Sequence, residues 1–163
     1  MKLHYAKSSP ERQGLERALK QLRSQLPIVV PTLRNGQSIA SEASESQLSQ
    51  NMPAEHANVL AKYTPATKED VSAAIEAALQ AKHEWQDMPF FDRAAIFLRA
   101  AELVSGKYRF ELMAATMLGQ GKNAWQAEID AAAETADFYR FNVASAQEIY
   151  EKQPTLTASG HAG

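Results

Sequence analysis

The stretch from about Asn123 to Lys152 constrains the fold of this chain more than any other. It reads as one long helix that ends before Pro154. Trp125, Ile129, Ala132, Ala136, Tyr139, Val143 and Ala146 step by four and three, which makes one continuous face. Ala127, Ala131, Glu134, Phe138 and Phe141 also step by four and three. At about 100° per residue the two stripes lie on opposite sides. A helix apolar on two sides is sandwiched between two layers. The rest of the chain supplies one layer, and a covering surface from elsewhere is expected for the other.

The remaining elements are mostly helical. Ser9 caps and Pro10 opens a first helix whose Leu15, Leu19 and Leu22 recur at helical spacing up to about Leu26. Pro27 ends it. Ile28 to Leu33 is prone to strand, Pro31 marks it as an edge, and Asn35-Gly36 signals a hairpin turn. Residues 41–57 are polar and read as an irregular connection, followed by a short strand from Asn58 to Thr64. Thr67 with Asp70 approximates a capping box for helix two, with an apolar face of Val71, Ile75, Ala78, Leu79 and Trp85. Pro89 separates it from helix three, striped by Ala94, Phe97, Leu98, Ala101 and Val104. Gly106 breaks the pattern, and a fourth helix spans about Tyr108 to Leu118. The organisation expected is 1–66 as a helix with short strands and an irregular connection, 67–153 as a helical segment, and 154–163 as a flexible tail. The fold class is mainly α with a small N-terminal β element.

Composition narrows the function. Lys plus Arg number 17 and Asp plus Glu 19, a net charge of −2, which lacks the basic excess of a nucleic-acid surface. No apolar run approaches a membrane span. There is no cysteine, so disulfides, thiolate metal sites and a cysteine nucleophile are excluded within the sequence. His4, His56, His83 and His161 do not share the spacing that puts two ligands on one helix face, so no metal site is expected. The opening MKLHYAKSSPERQG has neither the apolar core of a secretory signal nor the long Arg/Ser-rich stretch of a transit peptide, which leaves a cytoplasmic location open.

Few residues stand out chemically. Gly119-Gln120-Gly121-Lys122 brings backbone N–H groups and a helix start together, but it follows a helix and matches neither the dinucleotide fingerprint nor a P-loop. It reads as a helix stop and restart. Glu134 is the only charged residue in the second stripe, and a carboxylate on an apolar face is costly unless paired or wet. Either it lines a polar pocket and meets a cationic ligand group, or it is a rim residue bonded to a neighbouring helix. The aromatic residues of the long helix are expected in the core. Arg93 and Arg140 are expected to pair with nearby carboxylates such as Asp137, and His83 is expected to be solvated.

MLGQGKNAWQAEIDAAAETADFYRFN (Met117 to Asn142) strongly resembles the proline-catabolic branch of the aldehyde dehydrogenases, the L-glutamate γ-semialdehyde (delta-1-pyrroline-5-carboxylate) dehydrogenases, and is nearest to fungal mitochondrial members. SSPERQGLERAL (Ser8 to Leu19), AAIEAALQAKHEWQDMPFFDRAAIFLRAAELVSGKYR (Ala73 to Arg109) and the Asn35-Gly36 turn agree with it. The resemblance reaches to about Pro154.

The resemblance implies the N-terminal part of the α/β aldehyde dehydrogenase fold, without the Rossmann core that binds NAD and without the catalytic domain that carries a cysteine nucleophile and a glutamate base. It implies an N-terminal fragment of an NAD-dependent dehydrogenase that converts glutamate semialdehyde to glutamate, inactive alone and binding no NAD by itself. It matches Glu134, the second Glu of AEIDAAAE, to the helix glutamate that lines the aldehyde pocket. No other residue of this chain carries a catalytic or cofactor role over. It implies a mitochondrial matrix location and, as partner, the remainder of the dehydrogenase. A non-catalytic structural or interaction subunit derived from the dehydrogenase is the alternative, with another protein subunit as its partner.

Overall fold

The computed structural model describes residues 3–39 and 47–152. Helix α1 spans Pro10–Ser24; the Ser9 hydroxyl accepts from the Arg12 N–H and Pro10 takes the first turn, so the expected start is the observed one. Asn35 and Gly36 both have positive φ, 50° and 71°, and join β2 (Thr32–Arg34) to β3 (Gln37–Ile39) as an antiparallel hairpin. Pro31 divides the expected single strand: β1 (Ile28–Val30) joins a different sheet, where it runs parallel to β5 (Glu55–Tyr63) along one edge.

The irregular connection expected over 41–57 is corrected by β4 (Leu48–Met52), which pairs antiparallel with β5 through a register shift at Asn51. Residues 41–46 lie outside the described residues, as do residues 154–163, expected as a tail. Only Met52 of β4 is buried, so the strand carries no alternation to read. The sheet is anchored to the helices. Met52 and Leu60 pack on Leu118, with Leu19, Leu22 and Leu26 around them.

Helix α2 (Lys68–Asp87) opens with both halves of the Thr67–Asp70 capping box. Its expected apolar face is corrected: the helix buries no residue, and Val71, Ile75 and Leu79 are each more than half exposed. Its C-terminal end touches α3 (Phe90–Ser105) through the edge-to-face pair Trp85–Phe97. Helices α3 and α6 (Glu134–Glu151) form the main helix–helix contact, with Ala94, Ala101 and Ala136 small enough for close approach. Helix α4 (Arg109–Gln120) packs on α1, where Leu15 and Met113 meet Ala127 and Ala132 in the core. The molecule is therefore mainly α with a small β element, as expected from the sequence.

The long helix is not one regular helix. It is α5 (Ala124–Ala127), a π-helical segment (Glu128–Ala133) and α6 in unbroken succession. A π turn bonds i to i+5 and inserts one extra residue into the helix. Buried Ala127 and Glu128 stack on buried Ala132 and Ala133, five residues on. One buried face thus passes through Ala127, Ala132 and Ala136, and Trp125, expected in the core, is half exposed beside His4. The two opposed stripes of a regular helix resolve into one packed face and one solvent-facing strip.

Candidate functional site

The solvent-facing strip begins at Glu134, the first residue of α6. Glu134 is exposed, and Phe138 and Phe141 beyond it are 57% and 66% exposed. Two phenyl rings on one strip of helix make an apolar surface of the kind that marks an interface or a binding wall. A carboxylate at its end gives that wall one negative, hydrogen-bond-accepting group.

Local chemistry fixes where this strip begins. The Glu134 N–H donates to the Ile129 carbonyl and closes the π segment. The Thr135 hydroxyl donates to the Asp130 carbonyl at 3.1 Å, a second link across five residues. Asp130 also pairs with Lys122, which holds the far side of the same turn.

Beneath the π segment lies a buried polar node that the sequence reading missed. The Glu128 side chain is fully buried, and Oε1 accepts from the Leu3 N–H at 2.8 Å and from Arg109 Nη2. Its Oε2 accepts from the Tyr5 hydroxyl at 2.6 Å and from Arg109 Nε at 3.2 Å. Four donors fill the acceptor sites of the carboxylate. Arg109 is itself buried, and its Nη1 donates to the Ser105 carbonyl at 2.9 Å. Burial works to raise the Glu128 pKa, but the bonds from Arg109, Tyr5 and Leu3 outweigh it and hold the carboxyl below its ordinary range. Burial, and then the bond to Glu128, push the Tyr5 phenol above its ordinary range. Nothing in the spacing of Tyr5, Arg109 and Glu128 marked them, because they meet only through the tertiary fold.

The other sequence candidates are placed as follows. Gly121 takes a left-handed φ of 68° and ends α4, Asn123 caps α5 through a box with Gln126, and Lys122 is engaged by Asp130, so the glycine-rich connection is a helix stop and restart. Arg140 pairs with Asp137 at 3.3 Å, as expected. Arg93 is corrected: it donates to the Met88 carbonyl at 3.1 Å and the Tyr150 hydroxyl at 2.9 Å, because α3 faces the end of α6 there, and it makes no ion pair with a carboxylate among the described residues. Arg93 and Tyr150, with Trp85, Phe97 and Tyr139, line an apolar groove of about 310 Å³ on a different face of α6 from Glu134. His83 is exposed. Among the described residues no cluster of His, Cys, Asp or Glu could hold a metal ion, and no helix is long and apolar enough to cross a membrane.

Comparison with known proteins shows the family of the chain. The sequence profile of the aldehyde dehydrogenase family matches residues 39–162. The chain is 54% identical over 158 residues to the delta-1-pyrroline-5-carboxylate dehydrogenase of Agaricus bisporus, covering 97% of this chain and 28% of that protein. It is 50% identical to the mitochondrial delta-1-pyrroline-5-carboxylate dehydrogenase of Emericella nidulans, covering 96% of this chain and 27% of that one. Its fold is similar to the crystal structure of the Mycobacterium tuberculosis delta-pyrroline-5-carboxylate dehydrogenase bound with NAD, with a TM-score of 0.88 and 44% identity, covering 98% of this chain and 29% of that one. The chain thus spans about 28% of the length of the curated relatives it matches. Its helices and small sheet match the N-terminal part of the fold these enzymes share, and the chain belongs to the aldehyde dehydrogenase family.

Proposed function

We propose that the chain is the N-terminal segment of an NAD-dependent dehydrogenase that oxidises L-glutamate γ-semialdehyde, formed from delta-1-pyrroline-5-carboxylate, to glutamate in proline breakdown. The observation that carries this is the match over nearly the whole chain to enzymes of that name. In this reading Glu134 is a wall residue of the substrate pocket. Its support is the exposed strip, where a carboxylate stands among Phe138 and Phe141 and awaits a facing surface. Enclosed by that surface, a carboxylate acts more strongly on a polar substrate than it does in water.

NAD is bound in the Mycobacterium tuberculosis relative, and NAD is the hydride acceptor of the proposed reaction. The glycine-rich connection of this chain caps two helices, so it is not the phosphate cradle of the proposed reaction. The sequence has no cysteine, so the thiol nucleophile of the family is not supplied by this chain either. The part of this chain is then to build one wall and to carry Glu134. By likeness to the Emericella nidulans enzyme, the location is mitochondrial.

The test replaces Glu134 in the dehydrogenase that carries this segment. Glu134→Ala is expected to lower kcat/KM for pyrroline-5-carboxylate by roughly tenfold or more while leaving the unfolding midpoint close to that of the parent, as an exposed side chain allows. Unchanged kcat/KM would show a bystander.

A further inference from the structure

We propose that Glu128, held by Arg109 and Tyr5, is the positioning residue for Glu134. This rests on the reading of Glu134 as a pocket residue. Glu128 is the first residue of the π segment, and Glu134 is the residue whose N–H closes it. The extra residue in the helix therefore lies between two fixed ends. At one end Glu128 is tied to Arg109 at the start of α4 and to Leu3 and Tyr5 of the N-terminal segment. At the other, Ala136 and the turns beyond it are packed on α3.

A π turn is rare and persists where its surroundings impose it. If the Glu128 end is released, the segment relaxes toward the four-residue repeat. Each residue of register is about 100° of rotation about the helix axis. The later turns of α6 are held by α3, so the rotation falls on the first turn, which carries Glu134. The carboxylate then leaves the strip shared with Phe138 and Phe141. The choice of a buried ion pair fits such a role. A well-packed apolar pair at the same place is often as stable, whereas four directional bonds from three residues fix one geometry.

The experiment uses the dehydrogenase that carries this segment, with Glu128→Gln, Glu134→Gln and the double variant. Hydrogen exchange is expected to show a roughly tenfold loss of protection confined to residues 128–135, with α3 unchanged. Glu128→Gln is expected to lower kcat/KM for pyrroline-5-carboxylate by roughly tenfold or more, as misplacement of a pocket group does. Adding Glu134→Gln to it should then cost little further, because the carboxylate is already misdirected. Arg109→Lys keeps the charge but loses the forked contact, and it gives a smaller change of the same sign should Glu128→Gln fail to fold. Losses that multiply in the double variant, or exchange that rises equally through α3, would overturn the positioning role alone. Full activity of Glu134→Gln would overturn the pocket reading itself, and the role of Glu128 in the reaction with it.

Discussion

The Glu134 N–H donates to the carbonyl of Ile129, five residues back along the chain. That bond ends the π segment and begins α6, so one residue is both the closing donor of an irregular turn and the carboxylate at the head of the apolar strip that follows. It also makes the face of α6 depend on groups far away in sequence, because the other end of the segment is tied to Leu3, Tyr5 and Arg109.

The Glu128 node predicts a pH profile. Glu128 lies below its ordinary value of 4.5 in the folded chain, so its contribution is complete above that value and is lost as pH falls through the lower folded value. Tyr5 lies above its ordinary value of 10.0, so its contribution is complete below that value and is lost as pH rises through the raised folded one. Urea midpoints should therefore be flat between these limits and fall on both sides. Glu128→Gln should make the acid limb shallower, the remainder coming from Glu55 and Asp70, whose carboxyls are also held below their ordinary range; an acid slope identical to the parent's would refute the assignment. Arg109→Met, which strands a buried carboxylate, should cost about 3–5 kcal/mol.

Gly14 marks a close approach of α1 and α4. A Cβ built there would stand 2.5 Å from the Phe110 ring. Gly14→Ala gains about 1 kcal/mol of helix propensity. It loses about 1–3 kcal/mol by overpacking. A lower denaturation midpoint is expected, restored in part by Phe110→Leu. A midpoint raised by Gly14→Ala alone would show that the ring moves freely.

The exposed faces of α2 and α6 predict self-association of the 163-residue chain at micromolar concentration. Sedimentation velocity should show species larger than the monomer. Ile75→Glu together with Phe141→Glu should shift the distribution to the monomer. A sharp monomer peak in the unsubstituted chain would argue that neither face needs a cover.

Activity gives the plainest test. Covalent catalysis by this family needs a thiolate, and the chain has none. The purified chain should form no NADH from pyrroline-5-carboxylate above the rate without enzyme. Measurable turnover would end the proposed division of labour.

Sequence alone determined the features whose interactions close within a few residues. Ser9 and Pro10 start α1, Thr67 and Asp70 start α2, Asn35-Gly36 turns the hairpin, and Gly121 stops α4. In each case the partner atoms lie three or four positions apart, so local chemistry suffices. Residue pattern likewise marked Glu134 as a carboxylate on an apolar strip. Tertiary structure decided the rest. Strand β4 exists because β5 pairs with it, not because its polar residues favour a strand. The face of α2 is exposed because no described element lies over it, a fact its own periodicity could not contain. The π segment hid Glu128 altogether. A periodic projection assumes one regular helix, while the extra residue here is held by bonds from Glu128 to groups 19, 123 and 125 positions away. Such bonds form only after the chain has folded, and so the direction of Glu134 follows from contacts that no window of sequence includes.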